Sequence, residues 1–319
     1  MRFVFVLIAG LFLLHATGKC QARRNAIDSL QNYKQALSLV HSVDSQWFGF
    51  TTDTTAFPFY GYLDSNRLER NKKIRDSLGV VTFVKEDFDK NGRTDLLIHG
   101  ADGKIACLMD TGERYQLISL NKDDFGDWAQ PTSYASVMKS SSKSFIVFYH
   151  IEGTRYPFDY LASVSSADTL TYKFGSFIEW HATPSIHLIQ KIDFSEKNYY
   201  NPVPVFSMSI DSTGFAQLEA KSNCAKEGTS EEIVGKFHIL LKPDQYQQVF
   251  SLLNYLDFLS LRENYSSFPW DLSTAYLTII YDNGQKKTIE DYGLSGTFGL
   301  SYLYDLLFHI AFSYEWIRD

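Results

Sequence analysis

A change of period constrains this chain more than any single motif. Over residues 23–43 ("RRNAIDSLQNYKQALSLVHSV") the apolar residues Ile27, Leu30, Tyr33, Leu37 and Val40 recur at the three-and-four spacing of an amphipathic helix. Beyond Gly79 the spacing drops to two. "GVVTFVKEDF", "TDLLIHG", "KIACLMD", "RYQLISL", "SFIVFYHIEG", "TLTYKFGSFIEW" and "SIHLIQKIDF" read as short successive strands, with "ADGK" as a tight turn. Between the two regimes, "SNRLERNKKIRDSLG" (residues 65–79) reads as a charged helix opened by Ser65 and stopped by Gly79.

The pattern breaks at "NYYNPVPV" (residues 198–205) and restarts, which predicts a domain boundary. "VFSMSIDSTGFAQLEA" then reads as strand, turn at Asp211–Gly214, strand, and "EIVGKFHILL" as a third strand. "KPDQYQQVFSLLNYL" is a helix with Pro243 in its first turn. "AYLTIIYDNGQKKTIEDYG" is a hairpin in which Asn283-Gly284 offers the positive φ angles of a type I′ turn. The last segment, "GTFGLSYLYDLLFHIAFSYEWIRD", reads as an apolar helix. The expected fold class is α+β. A signal peptide at 1–22 precedes a helix plus antiparallel β-rich domain at 23–200. A domain at 203–319 follows, with antiparallel strands packed against two helices.

Composition sets the compartment and narrows the partners. With 45% hydrophobic and 16% aromatic residues in 319, the chain has ample core material and is not a disordered polymer. An aromatic excess of this kind suits a β-rich core. The N-terminus places Arg2 before an apolar run, Phe3–Leu14, and then small polar residues. That run is too short to span a bilayer and has the form of a secretory signal, cleaved after Gly18 or Ala22. Cys20 raises a lipid anchor, but Lys19 stands where the acylated cysteine needs a small residue, so anchoring through Cys20 is not expected. The expected location is periplasmic or extracellular, at or near the envelope, with no transmembrane segment after cleavage.

Cleavage after Ala22 also removes the positive charges of Arg2 and Lys19 from a chain whose net charge is already −7. A protein of net negative charge gains little of the counterion-release term that binds nucleic acid, so no nucleic-acid partner is expected. After cleavage at Ala22 only Cys107 and Cys224 remain, and an oxidising compartment leaves both a disulfide and two buried thiols open.

"DFDKNGRTD", residues 87–95, carries the chemistry. Asp87, Asp89, Asn91 and Asp95 fall at positions 1, 3, 5 and 9 of a loop, Gly92 permits a sharp bend, and the carbonyl of Arg93 faces inward by the same logic. Calcium takes six to eight oxygen ligands and needs a chain that wraps around it. Lys85, Lys90 and Arg93 are at hand to offset surplus negative charge. The loop is not an EF-hand, because Ile98 stands where that motif has a bidentate glutamate and a strand follows instead of a helix.

Residues 81–110, within "VVTFVKEDFDKNGRTDLLIHGADGKIACLMD", resemble a single FG-GAP/VCBS repeat, in which Asp-rich loops join strands of a propeller blade. The resemblance implies calcium ligands at Asp87, Asp89, Asn91 and Asp95 with the carbonyl of Arg93. A propeller needs several such blades and the chain shows one copy, so the expectation is a calcium-stapled β-domain. Residues 203–319 are similar to an uncharacterised family, a domain of unknown function found in exported and lipid-anchored bacterial proteins. The similarity rests on the strand pair, "FLSL" after the helix, Tyr265 followed by Asp271, the "GQKKTI" hairpin and the closing helix. It implies a compact α+β sandwich and carries no activity.

Other constellations carry less. His181 and His187 flank a strand with no acidic partner in register, and Gly293, Gly296 and Gly299 lack the dinucleotide or phosphate-loop pattern. Neither G-x-S-x-G nor H-E-x-x-H occurs in the mature chain. The first expectation is therefore an exported, non-enzymatic binding or envelope-associated protein with a structural calcium loop and an unidentified protein or glycan partner. The alternative is a glycan-acting hydrolase using paired carboxylates among Asp123, Asp124, Asp127 and Asp271.

Overall fold

The computed structural model describes residues 25–45, 72–100, 104–121, 133–152, 163–197, 203–266, 272–294 and 296–319. The signal segment, residues 65–71 of the charged helix, and Asp123, Asp124, Asp127 and Asp271 lie outside the described residues. The protein is β-rich, with three largely antiparallel sheets and four helices among the described residues.

The first helical segment divides in two. A 3-10 turn, Ile27–Ser29, ends at Leu30, whose backbone is extended, and α1 runs Tyr33–Val43. The interruption has a local cause. Asn32 caps α1 by accepting from the Gln35 amide at 3.0 Å, and the ammonium of Lys85 takes the carbonyls of Asp28 and Leu30 at 3.1 and 3.0 Å. Residues 72–77 are helical (α2), and Gly79 stops that helix at a φ of 65°, a backbone state open to glycine.

Strands β1 (Phe83–Glu86), β2 (Asp95–His99), β3 (Ile105–Asp110) and β4 (Tyr115–Ser119) form the first sheet in chain order. β2 and β3 are buried along their whole length. One face takes α1, where Ala36 and Val40 meet Leu96, Ile98, Ala106 and Leu108. The other face takes a second meander, β5 (Ser133–Lys139), β6 (Ser144–Glu152), β7 (Ser163–Lys173) and β8 (Ser176–Glu179). Leu97, Cys107 and Met109 pack there with Ala135, Ile146, Phe148, Leu170 and Phe177. Coverage on both faces explains why "LLI" of β2 and "IACLM" of β3 are continuous apolar runs and do not alternate.

The third sheet has eight strands. They are β9 (Ile189–Lys197), β10 (Val205–Asp211), β11 (Phe215–Ser222), β12 (Gly235–Leu240), β13 (Asn264–Ser266), β14 (Thr274–Tyr281), β15 (Gln285–Tyr292) and β16 (Ile317–Arg318). Their spatial order is β13-β15-β14-β9-β10-β11-β12-β16, antiparallel throughout except for β13 beside β15. Helices α3 (Pro243–Tyr255) and α4 (Phe298–Ser313) cover one face. β10 alternates buried and part-exposed residues along its length, as a sheet covered on one side must.

Three local features differ from the sequence expectation. The sheet of the C-terminal unit takes in β9, on the N-terminal side of residue 200, because β9 pairs with both β10 and β14. The β14–β15 turn holds three residues, with positive φ at Asp282 and Gly284 but not at Asn283, so it is not a two-residue type I′ turn. A two-residue turn with positive φ at both central positions occurs instead at Phe174-Gly175, which splits "TLTYKFGSFIEW" into two paired strands.

Candidate cation site in the loop between β1 and β2

The antiparallel pairing of Glu86 with Asp95 brings the two ends of the loop together. Asp95, fully buried, accepts from the Phe88 amide through Oδ2 at 2.9 Å and from the Asp110 amide through Oδ1 at 2.8 Å. Asp87 Oδ2 accepts from the Gly92 amide at 3.0 Å, with Gly92 at a φ of 81°. The carboxylates of Asp87, Asp89 and Asp95 converge, each offering an oxygen within 4.8 Å of the others. Asp87 Oδ1 is buried and has no hydrogen-bond partner.

The electrostatics follow from that convergence. Burial pushes Asp95 up to about 7, and the charges of Asp89 and Asp87 add to the push against its two amide bonds. Burial and the neighbouring Asp87 also raise Asp89. Two of the three cations near the loop in sequence are committed elsewhere. Lys85 is spent on the carbonyls of Asp28 and Leu30, and Arg93 pairs with Asp110 at 3.3 Å.

Asn91 plays a different part from the one expected of position 5. Its Oδ1 accepts from the Arg93 amide at 2.8 Å, and its Nδ2 donates to Asp89 Oδ2 at 2.9 Å and to the Asp110 carbonyl at 2.7 Å. In this arrangement it shapes the loop and steers Asp89. Asp110, missed by the loop pattern because it lies one strand away on β3, closes the back of the site. It also receives Asn25 Nδ2 at 2.8 Å, which ties the N-terminal turn to the loop.

The donor set fits a hard divalent cation. All the converging groups are carboxylate oxygens, with no sulfur or imidazole among them. A carboxylate oxygen that accepts one amide proton retains a lone pair for a metal, so the bonds to Phe88, Asp110 and Gly92 do not block coordination. They orient the oxygens beforehand.

Elsewhere the structure redistributes several sequence candidates. His187 does have an acidic partner, Asp282, at 2.7 Å from Nδ1, supplied from 95 residues away by the β14–β15 turn. The amides of Gly296 and Gly299 are already taken by Asp291 and Glu179, each at 2.9 Å, which leaves no anion site there. Ser313, His309 and Glu227 touch one another on the surface, but Ser313 and Glu227 both meet the same imidazole nitrogen, Nδ1. A catalytic relay needs opposite nitrogens of the ring.

Besides Asp110, two more buried carboxyl groups escaped the sequence reading. Glu196 and Asp291 sit on the helix-covered face of the eight-stranded sheet, 4% and 0% exposed. The available signal was an acidic residue at an inward position of an alternating strand, after Ile192 and Phe194 in β9 and after Ile289 in β15.

Residues 190–311 match the family described as Domain of unknown function (DUF6438), which spans β9 through most of α4. The loop region 81–110 lies outside that match. No curated protein and no solved structure matches the chain.

Proposed function

We propose that this chain is an exported, non-enzymatic binding or envelope-associated protein whose Asp87–Asp95 loop holds a structural calcium ion. One observation carries the calcium reading. A buried, unpartnered oxygen, Asp87 Oδ1, sits in a convergent group with Asp89 and Asp95. An unsatisfied acceptor among like charges is costly without a cation, since an orphaned buried acceptor costs about 1–3 kcal/mol and more when charged. Asp87, Asp89 and Asp95 would hold the ion, with the Arg93 carbonyl completing the set as in the FG-GAP/VCBS repeats that residues 81–110 resemble. Asn91 Oδ1, which accepts only the Arg93 amide, keeps a lone pair with which to join them.

Calcium is favoured over magnesium because a bent nine-residue loop supplies many oxygens at adaptable distances, while magnesium demands near-octahedral geometry. The ion would fix the β1–β2 junction, and at tenfold excess over Kd it adds about 1.4 kcal/mol of stability by linkage. Export rests on the Arg2 and Phe3–Leu14 pattern. Among the described residues, no helix is long and apolar enough to cross a membrane. We further place the chain's two units on either side of the stretch between β8 and β9, so that β9 goes with the C-terminal unit, with a protein or glycan as partner.

Calorimetric titration of the mature protein tests the site. Heat of binding and a rise in Tm at millimolar calcium are expected, and both vanish in Asp87→Ala and Asp95→Ala. No heat and no shift in the wild-type protein would defeat the reading. N-terminal sequencing of the secreted chain tests export, with a start at Lys19 or Arg23 expected.

A further inference from the structure

We propose that cation occupancy of the Asp87–Asp95 loop governs how firmly the first turn of α4 is docked, so that the β-rich unit clamps the C-terminal unit in a calcium-dependent way. This rests on the calcium reading above and assigns that ion a consequence beyond its own loop.

The connection begins at Phe88, the residue between Asp87 and Asp89. Its amide donates to Asp95 Oδ2, while its ring is 4% exposed in the core between the two four-stranded sheets. The backbone that positions the carboxylates therefore also positions a buried ring. That ring meets Phe177 of β8 edge-on, with centroids 5.5 Å apart. β8 is the seam of the molecule. Phe177 packs into the sheet-on-sheet core and the next residue, Ile178, into the core of the C-terminal unit.

The following residue, Glu179, takes the first turn of α4 with both carboxylate oxygens. Oε1 accepts from the Phe298 amide at 2.5 Å and Oε2 from the Gly299 amide at 2.9 Å. A helix leaves its first amides unsatisfied and carries partial positive charge there, so a bidentate carboxylate is a strong fastening. The Phe298 ring supplies a second one. It leaves the C-terminal unit and packs edge-on against Phe148, 5.1 Å away, in the cluster that contains Phe88 and Phe177. Tyr302, one turn further, donates to the Phe174 carbonyl at 2.5 Å.

The start of α4 is thus held by Glu179, Phe148 and Phe174, all from the second meander, and Phe88 braces that meander from the cation loop. Without a cation the three carboxylates repel one another and loosen the Phe88 backbone. With one, they are drawn together and Phe88 is held against Phe177. Coupling of this kind between two sites follows linkage, so the docked turn also favours the ion.

Hydrogen exchange of the full mature chain, with and without calcium, tests the coupling. Calcium is expected to slow the amides of residues 298–301 about tenfold, a typical coupling strength. That slowing should exceed any in the β10–β11 hairpin, which serves as an internal control for global stabilisation. Phe88→Leu keeps every carboxylate, and Glu179→Gln leaves the loop untouched. Both should bind calcium calorimetrically and lose the excess slowing. Wild-type protein that binds calcium but shows no excess slowing at 298–301 overturns the clamp and leaves the calcium site standing, as does retention of the slowing in both variants. Absence of calcium heat overturns both.

Discussion

Glu196 of β9 and Asp291 of β15 pair in register with opposite sides of the same residue, Ala275 of β14, so two carboxyl groups lie two strands apart inside the core with β14 between them. Asp291 is supported by the Gly296 amide at 2.9 Å, and the Tyr304 hydroxyl lies near it, raised by burial and by that carboxylate's charge. Glu196 has less support. Ser273 hydrogen-bonds its side chain, and its Oε2 is buried without a partner.

Burial raises Glu196 from 4.5 to about 7. A carboxyl whose folded pKa is raised holds its proton more tightly when folded, so its contribution is fully present below the unfolded value of 4.5. Stability then falls as pH rises toward the folded value and levels off above it. A shift of this size corresponds to about 3 kcal/mol. Glu196→Gln removes the titration, so urea unfolding at pH 5 and pH 8 should show a smaller loss in the variant by roughly that amount. An equal loss in both proteins would contradict it.

Gly299 lies inside α4, where alanine is ordinarily the better helix former by about 1 kcal/mol. Here a Cβ would stand 2.1 Å from Leu256 Cδ2 and 2.9 Å from Cδ1. Leu256 follows α3 and is itself 1% exposed, so it has little room to retreat. Overpacking of about 1–3 kcal/mol should outweigh the propensity gain. Gly299→Ala is expected to lower Tm, and a rise would show that the α3–α4 contact is looser than the structure has it.

The two cysteines among the described residues are free and fully buried, Cys107 in the sheet-on-sheet core and Cys224 in the C-terminal core. Burial raises both thiols, so neither has reactive thiolate character. A thiol reagent should label neither Cys107 nor Cys224 in the native protein and both in denaturant. Native labelling, or a mass loss of two protons before reduction, would be the contrary result.

Lys85→Met should release the N-terminal turn from β1. The ammonium holds two main-chain carbonyls, and its loss at this part-exposed position should cost about 1 kcal/mol. Limited proteolysis should then cut earlier between residues 25 and 45 while the eight-stranded sheet stays resistant. Unchanged cleavage would mean that the turn's other ties, from Asn25, from Thr94 to Asp28 and from Ala26 to Tyr115, hold it without Lys85.

Much of the local structure was legible because it depends on neighbours in sequence. Pro243 at the start of α3, Gly79 after α2 and the Asp-rich loop with Gly92 all declare themselves within ten residues. The hairpin at Asn283 misled for the opposite reason. Asp282 is drawn away to His187 and to the amide of Leu188, and the turn opens to three residues to let it reach them.

By itself, the sequence determined a β-rich chain with helices at known places, and it located the carboxylates that converge on one loop. Those follow from periodicity, turn chemistry and short spacings, which act over a few residues. Only the tertiary structure decided that β9 belongs with the strands after the Pro-rich connector and that Glu196 and Asp291 are buried. It also decided that Glu179 would hold the start of a helix 119 residues away. Strand partners and covered faces are set by which apolar surfaces find each other across long stretches of chain, and a strand's alternation says only that it has a face to bury.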